Sequence, residues 1–407
     1  MSDGFQEIDI DGTGTVSTMS GGTQVIYSGG TGTVNSMSGG TQVTDTGGIG
    51  TIDTMQDGSQ AILGDGSGII STMNGGRQSV GDIGTGTIST MNGGTQYVNG
   101  GTGTVSTMSG GKQNISSGGT GTVSTMNSGS QNILDGTGTV STMNNGDQNI
   151  YGGTGTVSTM QVDGGQNIYG GTGIINAMVG GDQYTQGGTA IIGIMSKGQQ
   201  TINRGDTGTI STMISGVQLI YSNGNGTVST MSGGEQQIKT GAMGTVSTMS
   251  GGLQLVDDGG TGTVIAMSGG SQKVYSGANG TISTMSAGEQ TIKSGGNGTV
   301  ITMNSGWQNI DYGGTGTINT MSGGQQTVKS GGAGTIGTMS SGMQEISSGG
   351  TGTVVTMTSG EQNIYSDGTG TVSTMNDGGQ YITSGTGTIS TMSGGYQEIS
   401  SLSLIHI

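Results

Sequence analysis

Side-chain chemistry at a protein site needs a base, a nucleophile or a metal ligand, and this sequence supplies few. There are 24 Asp and Glu, one His and no Cys in 407 residues. The single imidazole, His406, lies in a terminal segment unlike the rest, so no His-based triad and no Cys or His metal site is expected. Carboxylates such as Asp45, Asp82, Glu235 and Glu361 fall at unrelated positions of the pattern described below. A glycan-active enzyme would need two or three of them gathered in one groove. Asp257 and Asp258, adjacent in sequence, read as a solvated corner. The string GGTGTVSTM invites comparison with the calcium nonapeptide G-G-x-G-x-D-x-U-x, but its Asp position is Val or Ile here throughout. Strings like G-x-G-x-x-G abound without the strand-to-helix context that would bind a nucleotide. No cofactor is expected.

Two other residue types keep a fixed phase. Methionine recurs from Met1 and Met19 through Met37 and Met55 to Met392, giving 23 units; seventeen steps are 18 residues and five are 17. Met243 and Met343 fall outside that phase. Five residues after the repeat Met stands a Gln: Gln24, Gln42, Gln60, Gln78, Gln96 and onward, with Gln166 delayed by one residue. Positions are counted here from the repeat Met, negative before it and positive after it.

Composition limits what can hold such a series. Apolar residues make up 28%, Gly numbers 95, and Pro is absent. A globular domain is nearer half apolar, so an ordinary core is not expected. Without Pro or a G-X-Y period, collagen is excluded. With 8% charged residues, the chain is not a charge-rich disordered one. Net charge is −16 and the eight Lys and Arg are dispersed, so no basic patch exists to neutralise nucleic-acid phosphates. No apolar run reaches the ~20 residues of a membrane span.

The typical unit reads GGTGTVSTM-SGGTQVIYS. Position −3 is always Val or Ile; −5 is Gly except Ala190; −1 is Thr except Ser36, Ala177, Ile194 and Ala266. Positions −2, −4 and −6 are mostly Ser, Thr or Asn. This period-two alternation is a strand with one buried face, and it predicts that −1, −3 and −5 point inward. After SGG, +5 and +7 share a parity, and +7 is Val, Ile or Thr in every unit, counting Ile168, which is delayed by one residue with Gln166. Each unit is therefore two short strands joined by Gly-rich corners. Abundant Gly, β-branched residues and the period of two exclude helix. A two-strand unit of about 18 residues in tandem predicts an all-β parallel β-helix, a solenoid in which like positions stack. Right-handed connections are the general preference. With strands ~4.8 Å apart, 22 steps give a rod of roughly 105 Å.

Stacking accounts for the fixed Gln and Met. An inward amide can donate to the one below and accept from the one above, satisfying itself away from water. The Met should point outward after an inward −1, so the SGG corner is expected to turn it in, where a flexible thioether fills an irregular gap. One coil buries about three sizeable apolar side chains, worth roughly 1.5–3 kcal/mol each, too little to order it alone. Stability must come from neighbouring coils.

Residues 1–401 carry the repeat. Met1 is in phase, so the chain is expected to begin inside a longer reading frame, and no signal peptide precedes it. The tail 402–407, LSLIHI, breaks the pattern and resembles the translation of a transposase sequencing adapter, a non-native addition. The repeat is thus expected to be truncated at both ends.

Two outward arrays remain. Thr at −6 and −4 would form ladders of the kind found on ice-binding rods. Ser follows Met in many units: Ser20, Ser38, Ser109, Ser232, Ser250, Ser268, Ser286, Ser322 and Ser393. Ser and Gly make good corners; a regular hydroxyl array also suits a surface-glycosylating enzyme.

Two GG corners and a GG-x-Q-x-[VI] strand resemble the stalk repeats of AIDA-type autotransporter adhesins, across residues 1–401. The unit here is slightly shorter and carries a T-M step before SGG. The resemblance implies a right-handed β-helical passenger exported by a bacterium to its surface and held there by an outer-membrane barrel missing from this chain. It implies adhesion to host or sibling-cell surfaces or self-association, in aggregation or biofilm. It also implies O-heptosylation of Ser or Thr by a heptosyltransferase, and no enzymatic role.

Overall fold

The computed structural model describes residues 1–400; the tail 402–407 with His406, and Ser401, lie outside the described residues. No described residue is helical. The chain divides into two compact units, residues 1–201 and 202–407. Each is an all-β parallel solenoid of about 18 residues per turn.

A coil in the first unit shows the plan. Its long strand is Thr102–Met108 and its short strand Lys112–Ser116. The long strand pairs in parallel with Thr85–Met91 on one side and Thr120–Met126 on the other. Like residues face like: Val105 with Val123, Met108 with Met126, Gln113 with Gln131. The second unit follows the same rule, as in Thr299 with Thr317 and Gln308 with Gln326. A residue more or less per turn is absorbed locally. The delayed Gln166 still pairs with Gln148, because the register slips between Met143 and Asn145.

The long strand corrects one expectation. Burial alternates through Thr102, Gly103, Thr104 and Val105, but Ser106 and Thr107 then both lie outside before Met108 turns in. The pairing skips Ser106. Position −1 is therefore not inward: Ile194 is 47% exposed, and the other −1 residues are partly or fully exposed, none of them buried. The phase changes at −2 and −1, ahead of Met, and not in the SGG corner behind it. Two consecutive outward residues make a bend that lets Val −3 and Met 0 share one interior.

Two further bends complete the turn. At +3, Gly94 has φ +79 and its missing Cβ would lie 2.7 Å from the Gly76 carbonyl oxygen of the coil before. Both conformation and space demand Gly there. In most coils a tight turn also follows +7, as where the Gly30 amide donates to the Tyr27 carbonyl at 2.9 Å.

The core is a set of columns. Met19, Met37 and Met55 have no solvent exposure, nor do Val105, Ile115 and nearly all their equivalents away from the terminal coils. The interior is narrow. At Gly103 an added Cβ would come within 2.3 Å of Val98 and 2.8 Å of Gln96 Oε1, so −5 is Gly for want of room. The one exception, Ala190, comes where the preceding +7 residue is Thr185 in place of Val or Ile.

Candidate functional site

The buried polar chemistry of this molecule is a wire of amides. Gln24 Nε2 donates to Gln6 Oε1 at 2.6 Å, Gln42 to Gln24 and Gln60 to Gln42 at 2.7 Å, Gln78 to Gln60 at 2.7 Å and Gln96 to Gln78 at 2.6 Å. The donor always reaches toward the preceding coil. The second amide hydrogen approaches the −5 carbonyl, as from Gln96 to Gly86 at 3.1 Å. The second unit has its own run, from Gln236 on Gln218 at 2.7 Å to Gln380 on Gln362 at 2.6 Å. From Gln24 to Gln380 the rungs are fully buried and bonded, so they are structural and closed to ligands. The Met column beside it packs beneath the +3 Gly of the next coil, with Met37 Sδ 3.0 Å from where a Gly58 Cβ would stand.

The outward positions differ from one another. The nine loop serines from Ser20 to Ser393 are all exposed. Several are tied down: the hydroxyl of Ser232 donates to the Met213 carbonyl at 3.3 Å, a bond its backbone amide also makes at 2.9 Å. At +6, Asn114, Asn132, Asn149 and Asn167 form an external amide ladder with rungs of 2.8, 2.9 and 3.0 Å, a feature the alternation alone did not reveal. Two residues on, Tyr151 and Tyr169 stack with ring centroids 5.1 Å apart.

Charged groups pair from coil to coil. Asp257, read as a solvated corner, in fact binds Lys239. Lys293 Nζ lies 2.9 Å from Asp311 Oδ2, and Lys329 Nζ lies 3.6 Å from Asp311 Oδ1. The hydrogen bond that Lys293 donates to Asp311 raises its ammonium pKa above the usual lysine value, against the opposing effect of burial. Near the first coil, the carboxylates of Glu7, Asp45 and Asp9 push the exposed Tyr27 hydroxyl upward, Glu7 most. Asp45 also caps the Thr46 amide at 2.8 Å. Elsewhere, Glu235 accepts from Gln237 at 2.9 Å, and Asp82 occupies a left-handed corner with φ 40. Among the described residues, no three His, Cys, Asp or Glu converge as metal ligands, and no helix is long and apolar enough to cross a membrane. No family model matches the chain, and no curated protein matches it.

Proposed function

We propose that this chain is a stalk segment of a bacterial cell-surface adhesin, non-enzymatic, acting in adhesion to host or sibling-cell surfaces or in self-association. The observation that supports this most is the like-on-like register. Coil after coil stacks like on like, with the Gln rungs between the terminal coils buried and bonded, so the inside is spent on stability and only the outward columns can meet a partner. Those columns are mostly uncharged Thr, Ser and Asn, which suits broad polar contact between surfaces. Surface display through an outer-membrane barrel, aggregation and biofilm belong to the same reading, which rests on the repeat's resemblance to AIDA-type stalks. The test is to display the complete gene product on a bacterial surface. Cells should aggregate or adhere, and deleting the repeats should abolish this; unchanged adhesion without the repeats would overturn the proposal.

The exposed loop serines are proposed O-glycan acceptors for a heptosyltransferase. Intact-mass measurement of protein from its native host should then show sugar-sized increments that vanish when Ser109 and its equivalents become Ala. A bare mass would remove the idea.

A further inference from the structure

One outward face of the first unit leaves its hydroxyls wholly to solvent. From Thr85 and Thr87 to Thr154 and Thr156, five successive coils each present Thr at −6 and −4. The residues align across every step, Thr102 with Thr120 and Thr104 with Thr122, then Thr120 with Thr137 and Thr122 with Thr139. The −6 members are mostly exposed and the −4 members half-buried. The residue between them is the inward Gly, which adds nothing to the outer surface. No charged residue stands at −6, −4 or −2 in these coils, the last position being Ser from Ser89 to Ser158.

Some other outward columns consume their own hydrogen bonds, as in Asn132 on Asn114 and Lys293 on Asp311. None of the ten Thr hydroxyls bonds to another protein group, although the backbone carbonyls of Thr139 and Thr156 accept from the Gln wire. The grid is rigid for three reasons. Thr is stiff at χ1, each strand is paired on both sides, and the Gln wire runs beneath. Its two repeats are the coil spacing of ~4.8 Å and the alternate-residue spacing of about 6.6–6.8 Å. The first is slightly wider than the shorter oxygen repeat on the prism face of hexagonal ice and the second somewhat narrower than the longer one, so the two nets share a pattern and match over a few coils.

We propose that this threonine grid is an ice-binding surface. Ice is a ligand of fixed two-dimensional spacing without net charge. It is recognised by a flat, uncharged array whose hydroxyls replace lattice waters and whose methyl groups fill the spaces between them. An array already ordered in the folded chain has little conformational entropy to lose on adsorption. This function stands apart from the stalk reading and uses a different face of the coil from the loop serines.

The experiment uses the purified chain, without cells, so its failure leaves the surface-display result untouched. Thermal hysteresis is measured by osmometry on single ice crystals, with the crystal habit recorded. The wild-type chain should open a freezing gap that grows with concentration and should facet the crystal. Thr122→Tyr, at the centre of the grid, should lose most of that gap with an unchanged circular dichroism spectrum and melting curve. Ser128→Tyr, on the corner of the same coil, should retain it. If Thr122→Tyr does not fold, Thr120→Lys in the more exposed column takes its place. A wild-type chain with no gap and unshaped crystals, or a folded grid variant as active as wild type, overturns the proposal.

Discussion

A buried glutamine must have its donor and acceptor met, and in this chain the neighbours that meet them are other glutamines. Gln96 gives one hydrogen to Gln78 Oε1 and receives one from Gln113 Nε2 at 2.6 Å. Gln96→Leu would leave both partners, and the Gly86 carbonyl, unpaired in a dry interior. At about 1–3 kcal/mol for each orphaned group, partly relieved by relaxation, the loss should be roughly 2–4 kcal/mol. Urea denaturation of the variant against wild type measures it; a change below experimental scatter would show that the wire contributes nothing. Thr44 offers the opposite sign. It occupies +7, where every other coil but that of Thr185 places Val or Ile, and its buried Oγ1 has no hydrogen-bond partner. Thr44→Val keeps the shape and removes the unmet hydroxyl, so it should stabilise by about 1 kcal/mol. A lower denaturation midpoint for this variant would contradict that account.

Between residues and molecule stands the coil, and its boundaries are interchangeable. Removing Thr102–Gly119 joins Gly101 to Thr120 in the same phase, so the strand pairings and the Gln wire can close over the gap. Such a deletion should preserve the far-ultraviolet β spectrum and protease resistance. Removing nine residues instead would set Met against the turn at +9 and Gln against the outward Thr at −4 and should destroy both, and equal tolerance of the two deletions would deny that register governs folding. Coil-to-coil charge pairs add a smaller, pH-dependent increment. Because Asp311 raises the Lys293 pKa in the folded chain, that pair stabilises fully below the ordinary lysine value and is lost as pH climbs past it. The melting-temperature difference between wild type and Lys293→Met should therefore be flat from neutral pH to about 9. It should shrink above about 10.4, the unperturbed lysine pKa. A difference that vanishes on acidification to pH 6 would have the wrong sign for this pair.

For the molecule as a whole, stability is a sum over neighbouring coils, with no central core that all must share. Each compact unit holds its own Met, Val or Ile, and Gln columns. Residues 1–201 expressed alone should accordingly fold to the same β structure, with a melting temperature a few degrees below that of the full chain. A fragment without a cooperative transition would show that the columns need more length than this. With no Pro and no Cys, neither prolyl isomerisation nor disulfide exchange can supply a slow folding step.

Most of the fold is legible in the spacing of a few residues. Period-two alternation, the 17- or 18-residue recurrence and the fixed Gln define strand, coil and stacking together, because a solenoid repeats one local problem and solves it the same way each time. The inward Gln at +5 and Val or Ile at +7 follow from that alone, whereas the inward Met at 0 runs against the alternation and is inferred from its constancy. Where alternation breaks, the sequence is silent. The bend at −2 and −1 exposes Thr107 and Ile194 and buries Met108, and nothing in S-T-M marks it, since Ser and Thr serve equally on a strand or at a bend. Only tertiary packing decided it, because the narrow interior seats Val −3 and Met 0 on one wall and must push two residues out between them. The partner of Asp257, the external Asn ladder and the unbonded state of the Thr grid were likewise set by stacking across 17 or 18 residues, a distance at which one chain position cannot declare which neighbour it will meet.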